Sequence, residues 1–435
     1  MSSPAVFAAQ AAPALLRASF DAAVAAADPA LQIAACLPPL PRGRVLVVGA
    51  GKAAASMAAA VEHAWPEAPL EGLVITRYGH AVPTSRVRVV EAGHPVPDEA
   101  GAQAAAEILT RASGLGPDDL LLALISGGGS SLLTLPAPGL ELSELKALNH
   151  ALLAAGTPIE EINVVRKHCS ALAGGRLAVA AGHRGAKVLA LIISDVTGDD
   201  PSHIASGPCA ADTSTYADAI AILQRWGVEV PAAIAAHLAA GAAGRIQETP
   251  KPGDPRLARV DNRVIASAHR SLEAAAEVFR AAGVRPVILG DTVTGEAREV
   301  AKVYAALVRE VRRHGAPFAP PVALISGGET TVTLPAGVRG RGGRCSEFLL
   351  SLAYELGEDG IHAIACDTDG IDGSEDNAGA VLAPDSLDRA RARGVSARVA
   401  LDAHDAWGFF AASEGLVHTG PTLTNVNDYR ALLIF

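Results

Sequence analysis

Cysteine is scarce and poorly placed for any cross-link: Cys36, Cys169, Cys209, Cys345 and Cys366 form an odd, scattered set without paired or metal-ligand spacing. Such usage excludes a disulfide scaffold or a zinc module and fits reduced thiols in the cytosol. An uninterrupted apolar run of about 18 residues is also missing, so no membrane span is expected. Residues 1–16 are apolar and Ala-rich but lack a basic leading region, and Arg17 and Asp21 follow soon after. No signal peptide is expected, and the expected location is cytoplasmic. Basic charge is not in excess either. The formal net charge of −10 argues against general nucleic-acid binding. An anionic small molecule held by a few placed cations remains compatible with it. The three tryptophans and His183, His203 and His404 show no metal spacing, and no His-Glu-x-x-His occurs.

What is present is half hydrophobic and only 19% charged over 435 residues, which suits two globular domains. Short apolar runs recur at Val45–Val48, Leu73–Thr76, Leu120–Ile125, Val188–Ser194, Val264–Ser267, Pro286–Leu289, Val322–Ile325, His362–Cys366 and Ala431–Phe435. Continuous rather than alternating apolar residues mark parallel strands covered on both faces. Helical stretches such as Ser271–Ala282 and Gly295–His314 lie between them, which predicts an α/β layered fold. Residues 241–257 have no periodicity and three prolines and read as a linker or surface loop.

One segment occurs nearly twice. Residues 123–137 read Ala-Leu-Ile-Ser-Gly-Gly-Gly-Ser-Ser-Leu-Leu-Thr-Leu-Pro-Ala, and residues 323–336 read Ala-Leu-Ile-Ser-Gly-Gly-Glu-Thr-Thr-Val-Thr-Leu-Pro-Ala. In each, an apolar strand runs into Ser-Gly-Gly and small hydroxyl residues, a turn that frees backbone N–H groups for an anion. Candidate anion-binding residues are therefore Ser126, Gly127, Gly128, Gly129 and Ser130 in the first copy. In the second they are Ser326, Gly327, Gly328 and Glu329. The third glycine suits the first copy to direct contact with an anionic oxygen. Glu329 is poorly suited to cradling phosphate and is expected to act through a metal, a hydroxyl or Arg344.

Strand Val45–Val48 ends in Gly49-Ala50-Gly51-Lys52 before a helix start. Gly49 and Gly51 allow close approach, and Lys52 adds a mobile cation. The spacing is neither a Walker A loop nor a full dinucleotide fingerprint. Asp195 follows the strand ending at Ser194, with Asp199 and Asp200 just beyond; Asp367, Asp369 and Asp372 follow the strand at His362–Cys366. Carboxylates at such strand ends can hold Mg²⁺ or accept a hydroxyl proton, although aspartates also cap turns and helices. Arg339, Arg341 and Arg344 lie among glycines after the second Ser-Gly-Gly, and Arg344 is the favoured phosphate fork. His94, in Glu-Ala-Gly-His-Pro-Val-Pro-Asp, reads as a turn histidine rather than a substrate contact.

These segments together resemble the class II glycerate 2-kinases, a family also labelled hydroxypyruvate reductases of tartrate degradation. The likeness is carried by Val48–Lys52, Glu91–Asp98, Ser126–Leu132, Ser194–Val196, Gly198–Pro201 and Ile204–Pro208. It continues through Glu248–Pro255, Gly295–Arg298, Ser326–Thr331, Gly342–Arg344, Thr368–Gly373, Thr419–Pro421 and Thr424–Asp428, spanning roughly residues 8–430. Cys345-Ser346 stands where that family usually has Asn-Gln, Thr197 where Pro is common, and Leu423 where Gly is common.

The resemblance implies two α/β/α domains. An N-terminal Rossmann-like parallel sheet would occupy residues 1–240, a linker 241–258 and a C-terminal MOFRL-type domain 259–435, with the active site in the interdomain cleft. It implies ATP- and Mg²⁺-dependent phosphorylation of D-glycerate at the 2-hydroxyl. Lys52 and Arg344 are the implied catalytic cations. Asp195 or Asp369 would bind metal, and one of the two could orient the hydroxyl, Asp195 being the catalytic candidate. Expected partners are D-glycerate and ATP, with no nucleic acid or membrane; a homo-oligomer is compatible with the sequence. The rivals are a nicotinamide-dependent hydroxypyruvate reductase and a non-catalytic sugar-acid sensor.

Overall fold

The computed structural model describes residues 4–335 and 337–435 and divides into two compact units. One is Pro29–Ile265; the other joins the N-terminal helix to Ala266–Phe435.

The first unit is built on a six-stranded sheet. Its strands are β1 (Val45–Ala50), β2 (Leu70–Arg77), β3 (Val87–Ala92), β4 (Leu120–Ile125), β5 (Lys187–Ile193) and β6 (Val260–Ala266), in the order β3-β2-β1-β4-β5-β6. Pairs β1–β2, β1–β4, β2–β3 and β4–β5 are parallel. This is the doubly wound order, with its reversal between β1 and β4. Every residue of β1 and β4 is buried. Leu46, Val48 and Ala50 pack with Ile108 of helix Glu99–Ser113, while helix Ala54–Ala64 buries Met57 and Val61. A layered α/β fold is what the apolar runs predict, and it is what forms.

The segment expected to be a linker belongs to this unit. Helix Ala232–Ala242 runs into it, the Glu248 carboxylate accepts the Tyr216 N–H at 2.8 Å, and the Asp212 N–H donates to Pro250 O at 2.9 Å. Polar side-chain ties, which leave no hydrophobic period, hold it in place. Beneath it the Lys167 ammonium lies 3.2 Å from the buried Asp212 carboxylate. Burial opposes ionisation of Asp212, but Lys167 and the Ser214 hydrogen bonds outweigh it and hold the group below the ordinary 3.8. The stability it contributes is thus present above that value and is lost as pH falls through the lower folded one. Asp212→Asn is expected to cost about 3–5 kcal/mol at neutral pH, because Lys167 is left buried and unpaired. Urea unfolding of the variant at pH 7 and pH 3 should also show a flatter loss of stability below about pH 4.

The second unit carries a mixed sheet. Strands β7 (Arg285–Gly290), β9 (Val322–Ser326), β11 (His362–Asp367), β12 (Gly379–Leu382), β13 (Leu416–Val417) and β14 (Asp428–Ile434) run in the order β13-β12-β11-β14-β9-β7. A separate two-stranded ladder pairs β8 (Gly295–Glu296) with β10 (Thr330–Thr331). Strand β14 is antiparallel to both of its neighbours, β11 and β9. Its residues alternate between two cores. Leu432 and Ile434 pack with helices Ala297–His314 and Arg344–Leu356, and Ala431 and Leu433 pack under helix Ala268–Ala281 and the N-terminal helix.

The N-terminal helix, assigned from sequence to the first domain, is a correction. Its apolar face (Ala12, Leu16, Phe20, Ala23) recurs at helical spacing and is fully buried in the second unit. Phe20 meets Tyr429 with ring centroids 6.0 Å apart, and the Tyr429 hydroxyl donates to Ser19 Oγ at 2.8 Å. Burying Phe20 alone contributes about 1.5–3 kcal/mol. Periodicity marks the helix but cannot say which sheet it covers. No disulfide joins the cysteines; Cys169 and Cys209 are pushed up to about 12 by burial. No described helix is long and apolar enough to cross a membrane.

Candidate active site

In the first unit the chemistry-bearing turns meet at the carboxyl ends of β1 and β4, where the strand order reverses. The Ser126 N–H donates to Ala50 O at 3.1 Å and the Lys52 N–H to Gly127 O at 2.9 Å. The Ser126 hydroxyl accepts the Ala53 N–H at 3.0 Å, so its serine stitches the two turns together. Gly51 has φ 138°, and a Cβ there would lie 2.1 Å from Ser126 Oγ. Only glycine allows so close an approach. Gly49 is the penultimate residue of β1, and a Cβ there would lie 2.2 Å from Leu124 O.

Gly128 has φ 82° and opens the short helix Gly129–Leu132. A Cβ on it would sit 2.9 Å from the His94 ring and 3.6 Å from Lys52 Cγ. His94 and Lys52 therefore flank the same glycine. From sequence His94 looked like a turn residue; the Glu-Ala-Gly-His-Pro motif was the available signal. Ser130 Oγ lies 2.9 Å from Ser206 Oγ. Ala205 and Ser206 hold φ of 50° and 58°, uncommon for non-glycine residues and frequent where function fixes the backbone. Asp195 follows β5, the strand beside β4, just after the buried Ser194. Asp200 accepts the Ser202 N–H at 2.8 Å. Burial works against its charge, but the Ser202 bonds prevail and hold its carboxyl below the ordinary range.

In the second unit the antiparallel β14 delivers its first residue to the ends of β9 and β11. Asp428 pairs in register with Asp367, and Arg430 with Ser326. Arg344 opens the helix Arg344–Leu356 and faces three carboxylates. Nε donates to Asp428 Oδ1 at 2.7 Å and Nη2 to Asp367 Oδ2 at 2.8 Å, while Nη1 lies 3.1 Å from Glu329 Oε1. Burial opposes its charge, but Asp428, Asp367 and Glu329 outweigh it and raise its pKa above the ordinary arginine value. Asp428 is shared with the fully buried Arg430, whose Nη1 donates to Gly327 O at 2.9 Å.

Asp372 caps the Arg344 helix, accepting from the Cys345 N–H at 2.9 Å, the Ser346 N–H at 2.8 Å and the Ser346 hydroxyl at 2.6 Å. Burial raises its pKa. Cys345-Ser346 thus serves the helix start through Asp372. Asp369 Oδ1 accepts the Ile371 N–H at 2.9 Å. Leu423 has φ 61°, the left-handed region that a glycine occupies without cost.

The two Ser-Gly-Gly copies are not equivalent. The first opens a helix, whereas Gly328, with φ 97°, leads into β10. Ser326 Oγ accepts the Tyr304 hydroxyl at 2.7 Å. So Gly49, Gly51, Lys52 and Ser126–Ser130 converge in one unit, and Ser326, Gly327, Gly328, Glu329 and Arg344 in the other. Asp367, a strand-end carboxylate expected to hold metal or accept a proton, instead holds Arg344. Asp428, its other tight partner, was not singled out; its signal was the Thr-Asn-Val-Asn-Asp motif. Among the described residues, no group of three or more His, Cys, Asp or Glu side chains is arranged to hold a metal ion.

A family model described as a domain of unknown function, DUF4147, matches residues 15–239, and that of the MOFRL family matches residues 322–428. The chain is 55% identical to an Agrobacterium vitis protein named as a hydroxypyruvate reductase, over 97% of this chain and 94% of that one. It is 38% identical to D-glycerate 2-kinase of Thermotoga maritima, over 90% of this chain and 91% of that one. It also resembles the crystal structure of glycerate kinase from Thermotoga maritima, with a TM-score of 0.85, 36% identity and coverage of 97% and 99%. A doubly wound unit with a lysine at its switch point, joined to a MOFRL unit with an arginine at its strand ends, defines a two-unit α/β enzyme. The chain belongs to the class II glycerate kinase family.

Proposed function

We propose that this chain transfers the γ-phosphoryl group of ATP to the 2-hydroxyl of D-glycerate, giving 2-phosphoglycerate and ADP. The observation that carries this is Lys52 and the Ser126–Ser131 turn at the β1/β4 switch point, where open α/β sheets take their ligands. Phosphoryl transfer asks the protein mainly for positioning and neutralisation of charge. Lys52 supplies a cation beside the glycine turn, and the turn's N–H groups face an anionic oxygen. In the second unit Arg344, its fork fixed by Glu329, Asp367 and Asp428, is a further cation suited to phosphate charge. Asp195 orients the 2-hydroxyl and accepts its proton.

Magnesium usually takes one or two protein carboxylates plus substrate phosphates rather than a protein cage. Asp195 in the first unit or Asp369 in the second is the candidate carboxylate for it; both Asp428 oxygens serve arginines. A magnesium ion held there would supply positive charge that offsets the charge of the phosphate group.

A reductase reading rests on the name of the Agrobacterium vitis relative. However, β2 ends in Thr76 and Arg77, where dinucleotide folds commonly place an acidic residue for the ribose. Incubation with ATP, Mg²⁺ and D-glycerate should release ADP and give 2-phosphoglycerate by phosphorus NMR. NADH oxidation with hydroxypyruvate and no ADP release would overturn the proposal. Formation of 3-phosphoglycerate would overturn its regiochemistry.

A further inference from the structure

We infer that Arg166 binds the carboxylate of the substrate acid in a small cavity beside the first Ser-Gly-Gly turn, an inference that rests on D-glycerate being the substrate. Arg166 lies in the last turn of helix Ile159–His168, and its Nε donates to Asn149 Oδ1 at 2.8 Å. Arg344 and Arg430 are answered by carboxylates; among the described residues the Arg166 guanidinium is met by a neutral amide and by no carboxylate. Burial lowers its pKa. Withdrawing a cation from water without a counter-charge is costly, so a guanidinium fork kept this way is suited to an incoming anion.

The cavity measures about 30 Å³. Arg166, Asn149, Ser130 and Ser206 line it together with the apolar Leu145 and Leu148. Its volume admits about two water-sized groups at on the order of 10–15 Å³ each. The two oxygens of a carboxylate fit; a triphosphate does not. The Ser206 hydroxyl donates to Asn163 Oδ1 at 3.2 Å, so Ser130 donates to Ser206, and the Ser130 oxygen is left as an acceptor. That oxygen suits a substrate hydroxyl, while the guanidinium suits the carboxylate. Ser130 is two residues from Gly128, which Lys52 flanks. An acid anchored at Arg166 therefore presents its hydroxyl end toward Lys52.

The test uses the full chain. Wild type is first assayed for ADP release with D-glycerate; no release overturns the parent proposal and this inference with it. Given an active wild type, Arg166→Gln is expected to raise KM for D-glycerate about thirtyfold, the scale of losing hydrogen bonds to a charged group. KM for ATP should not change, and the preference for D-glycerate over glycerol, which lacks the carboxylate, should fall by a similar factor. Asn149→Asp, which gives the guanidinium an internal counter-ion, should also raise KM for D-glycerate while Tm holds or rises. An unchanged KM for D-glycerate in Asn149→Asp, or in a folded Arg166→Gln, overturns the inference and leaves the kinase proposal intact. An equal rise in KM for ATP overturns it too, by assigning the anion to the nucleotide.

Discussion

Lys52→Ala is expected to lower kcat for ADP release with D-glycerate by at least about a hundredfold, the scale of losing one group that stabilises developing charge. The fold should survive, because the backbone N–H of residue 52, not its side chain, ties the turn to Gly127. The side chain instead runs beside Gly128, its Cγ 3.6 Å from where a Cβ on that glycine would lie, at the carboxyl end of the sheet. Lys52→Arg tests whether charge alone suffices. A planar fork differs from a compact ammonium in reach and hydration, so recovery should be partial at most. Turnover of Lys52→Ala within threefold of wild type, with an unchanged Tm, would remove Lys52 from the mechanism.

Arg344→Ala should fail in two ways at once. Its guanidinium holds Asp367 and the fully buried Asp428, so its loss strands carboxylates at the centre of the second unit. Breaking a buried pair from one side costs about 3–5 kcal/mol. Arg430 still neutralises one Asp428 oxygen, which places the expected loss near the lower end, about 3 kcal/mol. Turnover should drop at least about a hundredfold as well. Arg344→Lys separates the two effects. It restores charge against the carboxylates and part of the stability, but it cannot offer three donors in a plane, so kcat should stay low. Urea unfolding and ADP release on both variants give the answer. An alanine variant that melts early yet turns over normally would leave Arg344 a structural residue only.

Much of the fold was legible because fully buried parallel strands leave unbroken apolar runs. Leu120–Ile125 is β4 residue for residue. Strand β3 was missed because it lies at the sheet edge, where Arg88 and Glu91 interrupt the run. The two short strands β12 and β13 carry too few residues to show a period. In the site, the switch-point turns announced themselves through glycine, since close approach demands it at Gly51. Glu329 was legible as a partner of Arg344, but Asp428 was not. Asp428 reaches it through an antiparallel strand inserted between β9 and β11, a pairing that no local pattern encodes. The repeated Ser-Gly-Gly suggested two like turns, yet Thr330-Thr331 finds a partner strand at Gly295-Glu296, and the first copy's serines coil into a helix.

The placement of the N-terminal helix with β14 has a consequence for how the chain is made. Ser19 leaves the ribosome 410 residues ahead of its hydroxyl partner Tyr429. At roughly 5–20 residues per second that interval is roughly 20–80 s. Until Ala266–Phe435 follows, the face bearing Leu16 and Phe20 lacks the unit that covers it, whereas all of Pro29–Ile265 is synthesised before that unit begins. Pro29–Ile265 can therefore fold before the unit that receives this helix is made, and the helix's apolar face is a client for whatever shields such surface during synthesis.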